Sequence, residues 1–208
     1  MSGAHSSLFL LAALIIAAIP GPGIFYVAAR TLSGGRQAGI ASAFGTAVGG
    51  LVHVIAGGLG VSAIILASAQ LFSVLKLAGA LYLVWLGIKS FREAGDAPPE
   101  QIGPIGAKRA FREGVVVEAL NPKTAAFFLA FIPQFLEPAA GYPALQFMTL
   151  GVISVALNTF ADTIVVIVAS AARANLVRTP RLVKRLRQGS GLFIAGLGIS
   201  LARRPAPA

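Results

Sequence analysis

The chain has no cysteine and only two histidines, His5 and His53, in 208 residues. Disulfides, thiolate metal sites and thiol redox chemistry are excluded, and a metal centre lacks its usual donors. Charge is also scarce. Asp, Glu, Lys and Arg make up 12% of the residues, where a soluble domain carries about 25%. Acidic residues are the rarest, 7 against 17 basic ones, for a net charge of +10. No nucleophile–base pair is visible: Gln188-Gly189-Ser190-Gly191 has the wrong order for a serine-protease nucleophile, and no histidine follows His53. The sequence therefore argues against an enzyme and calls for no cofactor and no metal.

What fills the chain instead is apolar. Hydrophobic residues reach 56% and the mean hydropathy is +0.82, both beyond the soluble range. Six apolar stretches lie near the ~20 residues a membrane-crossing helix needs. They run about Leu8–Ala29, Ile40–Ala67, Leu71–Ile88, Val115–Leu136, Ala144–Ala172 and Gly191–Ala202, the last being short enough for a re-entrant segment. No Lys or Arg precedes Leu8 and the first run continues past Pro22, which favours a span over a cleaved signal peptide. The expected fold is all-α: a polytopic membrane bundle of about six helices, residues 1–208 as one domain in a lipid bilayer.

Basic residues between the runs set the orientation rather than a nucleic-acid partner. Arg30 and Arg36 follow the first run; Lys89, Arg92, Lys108, Arg109 and Arg112 follow the third. Arg173, Arg178, Arg181, Lys184, Arg185 and Arg187 follow the fifth. The N-terminal tail and the second and fourth connections have none. The positive-inside rule then puts the first, third and fifth loops in the cytoplasm and both termini outside, with Arg203 and Arg204 dissenting. Residues 90–113, with Ala97-Pro98-Pro99 and Gly103-Pro104, read as a flexible linker between a first half of about 1–89 and a second of about 114–208. Three spans in each half would make an inverted 3+3 repeat.

Two spans interrupt themselves. Pro20-Gly21-Pro22-Gly23 breaks the first: neither proline has an N–H, so the carbonyls of Ile16 and Ala18 lose their helical donors. Gly23 and its successors begin a half-helix whose N–H groups suit a carboxylate. Asn121-Pro122-Lys123 breaks the fourth run, Asn121 as N-cap and Pro122 in the first turn. Lys123 places a cation where the helix dipole disfavours it, so it either meets an anion or snorkels to the headgroups. Broken membrane helices are tolerated where they line a cavity, and in transporters they mark the binding site. A substrate carboxylate is thus expected at Gly23 or at Asn121–Lys123, and an α-ammonium at the freed carbonyls or Asp162.

Charges inside spans are costly, on the order of 2.5–3.5 kcal/mol each at the bilayer centre on insertion scales. Glu118, Lys123 and Asp162 are such residues, with His53 and Lys76. Asp162, one turn from Asn158, reads as a proton-coupling carboxylate or as a structural partner of Lys123. Glu118 and His53 are the next candidates for the proton. Gly35-x-x-x-Gly39 and Gly45-x-x-x-Gly49 follow the small-residue pattern of close helix contacts, without naming a partner.

Several of these segments, taken in order, resemble the LysE/RhtB family of amino-acid exporters. They are Pro20-Gly21-Pro22, Gly34-Gly35-Arg36 with Gly39, Leu77-Ala78-Gly79-Ala80-Leu81-Tyr82-Leu83 to Gly87, Asn121-Pro122-Lys123, Phe127-Phe128-Leu129 and Pro133-Gln134-Phe135. The resemblance spans nearly the whole chain. It implies a multi-pass protein of the bacterial inner membrane that exports amino acids or related small molecules, driven by the proton gradient as an antiporter. The substrate side chain and association into homo-oligomers stay open. The other reading of the breaks is an uncoupled small-solute channel, or a membrane scaffold.

Overall fold

A computed structural model describes residues 3–67, 103–137 and 140–171, with single positions between 74 and 92 and between 188 and 199. Among the described residues every regular element is helical. In order they are α1 (Gly3–Ala18), α2 (Pro22–Ala67), α3 (Ala107–Ala119), α4 (Pro122–Ala126) and α5 (Pro143–Ala171). Between α4 and α5 the helix continues as a π-helical turn, Phe127–Phe131, and a 3-10 turn, Ile132–Phe135. The third and sixth apolar stretches, and with them the 3+3 count, fall largely outside the described residues.

The first expected span is α1 plus the start of α2, interrupted at Ile19-Pro20-Gly21. α2 is too long for one crossing, and a single residue divides it. Gly35 has φ 79° and ψ −175°, a conformation closed to side-chain-bearing residues without strain, and the second span begins there. Gly35 is thus a reversal and not a packing residue, unlike Gly39 beside it. Of the expected linker, Gly103–Gly106 is extended, and α3 starts at Ala107. α3 and Pro122–Phe135 are bent by 43° at the Leu120-Asn121 break, and together they are long and apolar enough for one broken span or a re-entrant segment.

α2 packs along α3 on one side and α5 on the other, and α1 leans on α5. The glycines decide which face goes where. Added Cβ atoms at Gly45 and Gly49 would run into the carbonyls of Phe111 and Val115, so these two carry the α3 contact. Gly50, Gly57 and Gly58 face Val155, Phe147 and Met148 of α5.

The side-chain distribution is inside-out relative to a soluble protein. Thr31, Ser42, Thr46, Ser154 and Asp162 are buried, while Leu11, Phe44, Ile55, Phe160 and Val168 are exposed. Buried hydroxyls bond back to carbonyls of the preceding turn, as Thr31 to Val27 at 2.7 Å and Ser154 to Leu150 at 2.9 Å. Such bonds satisfy the hydroxyls where no water can. Apolar exteriors of this kind face lipid.

Pro133 explains the turns after α4. Without an N–H it cannot serve the Leu129 carbonyl, so the ladder loosens into π and then tightens into 3-10. The Gln134 amide repairs part of this by donating to the Ala130 carbonyl at 2.6 Å. The altered twist stacks Phe127, Phe131 and Phe135 at centroid distances of 5.0 and 4.8 Å, and Phe9 of α1 closes on Phe135 at 5.2 Å.

Candidate functional site

The two broken spans meet. Gly21 and Gly23 of the first break line one pocket with Asn121 and Lys123 of the second. Glu118, Asp162, Asn158, Thr159 and Thr46 complete its polar wall, and Phe127 and Phe128 lie on the apolar side. Residues far apart in sequence and rare in this chain thus share a single space.

Asn121 behaves as the sequence predicts: its side-chain oxygen accepts from the Lys123 N–H at 3.0 Å, capping α4. Its amide donates in the other direction, to Glu118 Oε2 at 2.9 Å, while Thr124 donates to Oε1 at 2.6 Å. Both oxygens of Glu118 are therefore held across the break, one by each side chain. Gly23 fits against this carboxylate; a Cβ there would come within 2.5 Å of Oε2.

Lys123 does something the sequence did not lead us to expect. Among the described residues its ammonium pairs with no carboxylate, and it does not snorkel. It crosses the pocket and donates to the carbonyls of Ile19 at 2.8 Å and Ile16 at 3.2 Å. Ile16 is the residue whose helical donor Pro20 removes. The C-terminal end of α1 carries the negative end of that helix's dipole, which favours a cation, whereas α4's own first turn disfavours it. Gly21 gives the lysine stem its path: a Cβ there would lie 2.9 Å from Lys123 Cδ. Lys123 thereby ties the two breaks together.

Asp162 is buried and bonded to Thr46 Oγ1 at 2.8 Å. Among the described residues it forms no ion pair with Lys123, although both line the pocket. Asn158 and Thr159 lie on the same wall, as their spacing from Asp162 suggests. His53 does not line the pocket. Its Nε2 sits 2.9 Å from the Glu118 carbonyl and its ring tilts against Phe128, a packing position one layer behind the site. Pro20 and Pro22 do not line it either; they shape its wall from behind.

Two groups escaped the sequence reading. Thr46 and Thr124 hold the two pocket carboxylates, and isolated threonines in apolar runs carry no signal that separates them from packing hydroxyls. A second cluster lies toward the basic ends of α2 and α3. There Arg30 pairs with Glu113 and donates to the Gly103 carbonyl at 3.1 Å, and Tyr26 donates to the Ala110 carbonyl at 2.9 Å. Arg30, a loop residue on the sequence pattern, is helical and buried.

Paired helix breaks, a polar pocket between them and a lipid-facing exterior define a membrane translocator rather than an enzyme. The sequence profile of LysE type translocators matches residues 14–204, and the chain belongs to that family. It is 30% identical over 198 residues to a Vibrio cholerae chain described as an uncharacterized membrane protein, covering 93% of this chain and 94% of that one. It is 29% identical over 195 residues to the homoserine/homoserine lactone efflux protein of Salmonella typhimurium, covering 93% and 94%. The leucine efflux protein of Salmonella typhimurium is 25% identical over 199 residues, covering 93% and 92%. No solved structure matches the chain.

Proposed function

We propose that this protein exports small amino acids across the bacterial inner membrane in exchange for protons, with its basic loops in the cytoplasm. The observation that carries the reading is the convergence of Glu118, Lys123 and Asp162 on one pocket between two broken spans. Three ionisable groups in an apolar bundle cost too much to keep without a task.

The relatives' names mention homoserine, homoserine lactone and leucine. These share a primary α-ammonium; the lactone has no free carboxylate. The ammonium is therefore the group such a site must read, with acceptors at Asp162, Glu118 and the carbonyls of the first break. A carboxylate, where the substrate has one, is served by Lys123 and the N–H groups after Gly23.

Asp162 is the proton carrier in this reading. The Thr46 hydroxyl has one proton and two acceptors in reach, Asp162 Oδ2 at 2.8 Å and the Ala43 carbonyl at 2.7 Å. As a carboxylate, Asp162 competes with the carbonyl for that proton. Once protonated, Asp162 donates to Thr46 and Thr46 donates to Ala43, so every partner is satisfied. The site is thus built for both protonation states.

Purified protein in liposomes tests this. A pH gradient should drive labelled leucine or homoserine against its concentration, opposite to the proton flow. Equilibration without accumulation would leave an uncoupled channel, and no movement a scaffold.

A further inference from the structure

We propose that Lys123 is a tethered stand-in for the substrate: its ammonium occupies the backbone-carbonyl subsite that an arriving primary ammonium takes over. The inference rests on the exporter reading and assigns the ammonium subsite within it.

The Nζ of Lys123 bonds two main-chain carbonyls, Ile19 at 2.8 Å and Ile16 at 3.2 Å, at the end of a helix where Pro20 has removed the regular donor of Ile16. Those two acceptors form a cradle for an N–H₃⁺ group whatever chain carries it, since they are fixed by the backbone and not by a side chain. No carboxylate in the described structure is ion-paired with Lys123. The ammonium is therefore held by neutral acceptors and a helix dipole, which a second cation can replace without leaving a stranded anion behind.

Lys123 also has somewhere to go. Glu118 and Asp162 line the same pocket, as does the N-terminal turn beginning at Gly23. A substrate whose ammonium enters the cradle pushes Lys123 Nζ into the pocket, where it meets the substrate's own carboxylate. Ligand and lysine exchange partners, and charge in the pocket is balanced in both arrangements. With the substrate gone, Lys123 returns and the two breaks are tied again. The empty carrier is thereby spared an unbonded carbonyl at Ile19 and a carbonyl at Ile16 left with the Ile19 N–H alone, at 3.2 Å, and unbonded groups of this kind cost free energy in lipid. Moderate affinity follows, because binding replaces one ammonium by another.

Lys123→Ala removes the occupant and leaves the cradle open. In detergent, n-propylammonium should raise the Tm of this variant by roughly 2–5 °C at saturation and that of wild type, where it must first displace Lys123, by less. Neutral n-propanol should do neither. If Lys123→Ala cannot be made, Lys123→Met keeps the stem beside Gly21 and lacks only the ammonium, and ammonium chloride against sodium chloride is the probe. A shift no larger than the neutral control, or equal in wild type, overturns the subsite.

Displacement is read on wild type in liposomes. The KM for leucine should rise severalfold with 3-methylbutylammonium, which is leucine without its carboxylate. It should not change with 2-hydroxy-4-methylpentanoate, which lacks the ammonium. Inhibition by the hydroxy acid, or none by the amine, overturns the exchange. Loss of the thermal effect alongside intact pH-driven transport would sink the subsite and leave the exporter standing. A clear thermal effect in Lys123→Ala beside a wild type that moves no amino acid would reduce Lys123 to a structural cap and overturn the stand-in role.

Discussion

Arg30 and Glu113 form an ion pair that ties the first part of α2 to α3 about one and a half to two turns from the pocket, measured from Glu118 and Gly23 at 3.6 residues per turn. The pair is lopsided. The Arg30 side chain is 8% exposed and Glu113 31%. Glu113 also accepts from Arg109 Nε at 2.8 Å, on the exposed side of its own helix. Removing Glu113 strands a buried guanidinium; removing Arg30 leaves Glu113 with Arg109. We expect Glu113→Ala to lose about 2–3 kcal/mol, below the 3–5 of a fully buried pair, and Arg30→Ala to lose less. Thermal unfolding in detergent checks the order of the two variants, and the reverse order would show that Arg30 is held mainly by Gly103 and Tyr26.

The glycine contacts give a comparison within one helix. At Gly45 and Gly49 a methyl group meets main-chain carbonyls of α3, which cannot rotate away. At Gly60 nothing among the described residues lies within 4 Å. Gly49→Ala should cost on the order of 1–3 kcal/mol by forcing α2 and α3 apart. Gly60→Ala should be neutral or gain up to about 1 kcal/mol from helix propensity. Yield of folded protein and Tm read both, and an undisturbed Gly49→Ala would mean that the helices slide with ease.

The two breaks were readable from sequence because proline and glycine act locally: a missing N–H frees a carbonyl whatever surrounds it. The kinship of Asn121 with α4 was readable for the same reason. What Lys123 does was not. Its own helix end called for an anion, but the nearest partner in space is the C-terminus of another helix, and no sequence spacing connects Ile16 with Lys123. The same holds for Arg30, which counts as a loop charge until Glu113 is seen opposite it. Gly35 misled in the other direction, since the spacing to Gly39 imitates a packing motif while its backbone turns the chain.

The proline break can be closed. Pro20→Ala and Pro22→Ala together return N–H donors to the carbonyls of Ile16 and Ala18 and let α1 run on toward α2. The restored donor at position 20 competes with Lys123 for Ile16. The double variant should insert and accumulate normally yet export less than about a tenth of the wild-type rate, a loss equal to about 1.4 kcal/mol or more in the barrier. Undiminished export by liposome assay would reduce these prolines to packing features.

The proposed orientation can be checked directly. If residues 90–113 are in the cytoplasm and both ends outside, a reporter that fluoresces only in the cytoplasm should stay dark when fused after Ala208. Bright fluorescence would place Arg203 and Arg204 inside and make the last apolar stretch re-entrant.

Lys123 and Asp162 are the sharpest case, because two accounts of them predict opposite results in one double variant. If they stabilised each other as a buried pair, each single alanine variant would lose protein and the double would recover much of it. The geometry is against this: Lys123 bonds Ile16 and Ile19, Asp162 bonds Thr46, and no ion pair joins them. The double variant should therefore recover neither yield nor efflux. Asp162→Asn separates structure from coupling. Its amide donates to Thr46 as a protonated carboxyl would, so the bundle should fold, but it carries no exchangeable charge. Leucine should then equilibrate across the liposome membrane without being accumulated by a pH gradient. Should Asp162→Asn still concentrate its substrate, the proton rides elsewhere, and Glu118, gripped by Asn121 and Thr124 beside Gly23, is the next residue to replace, before His53 behind the site.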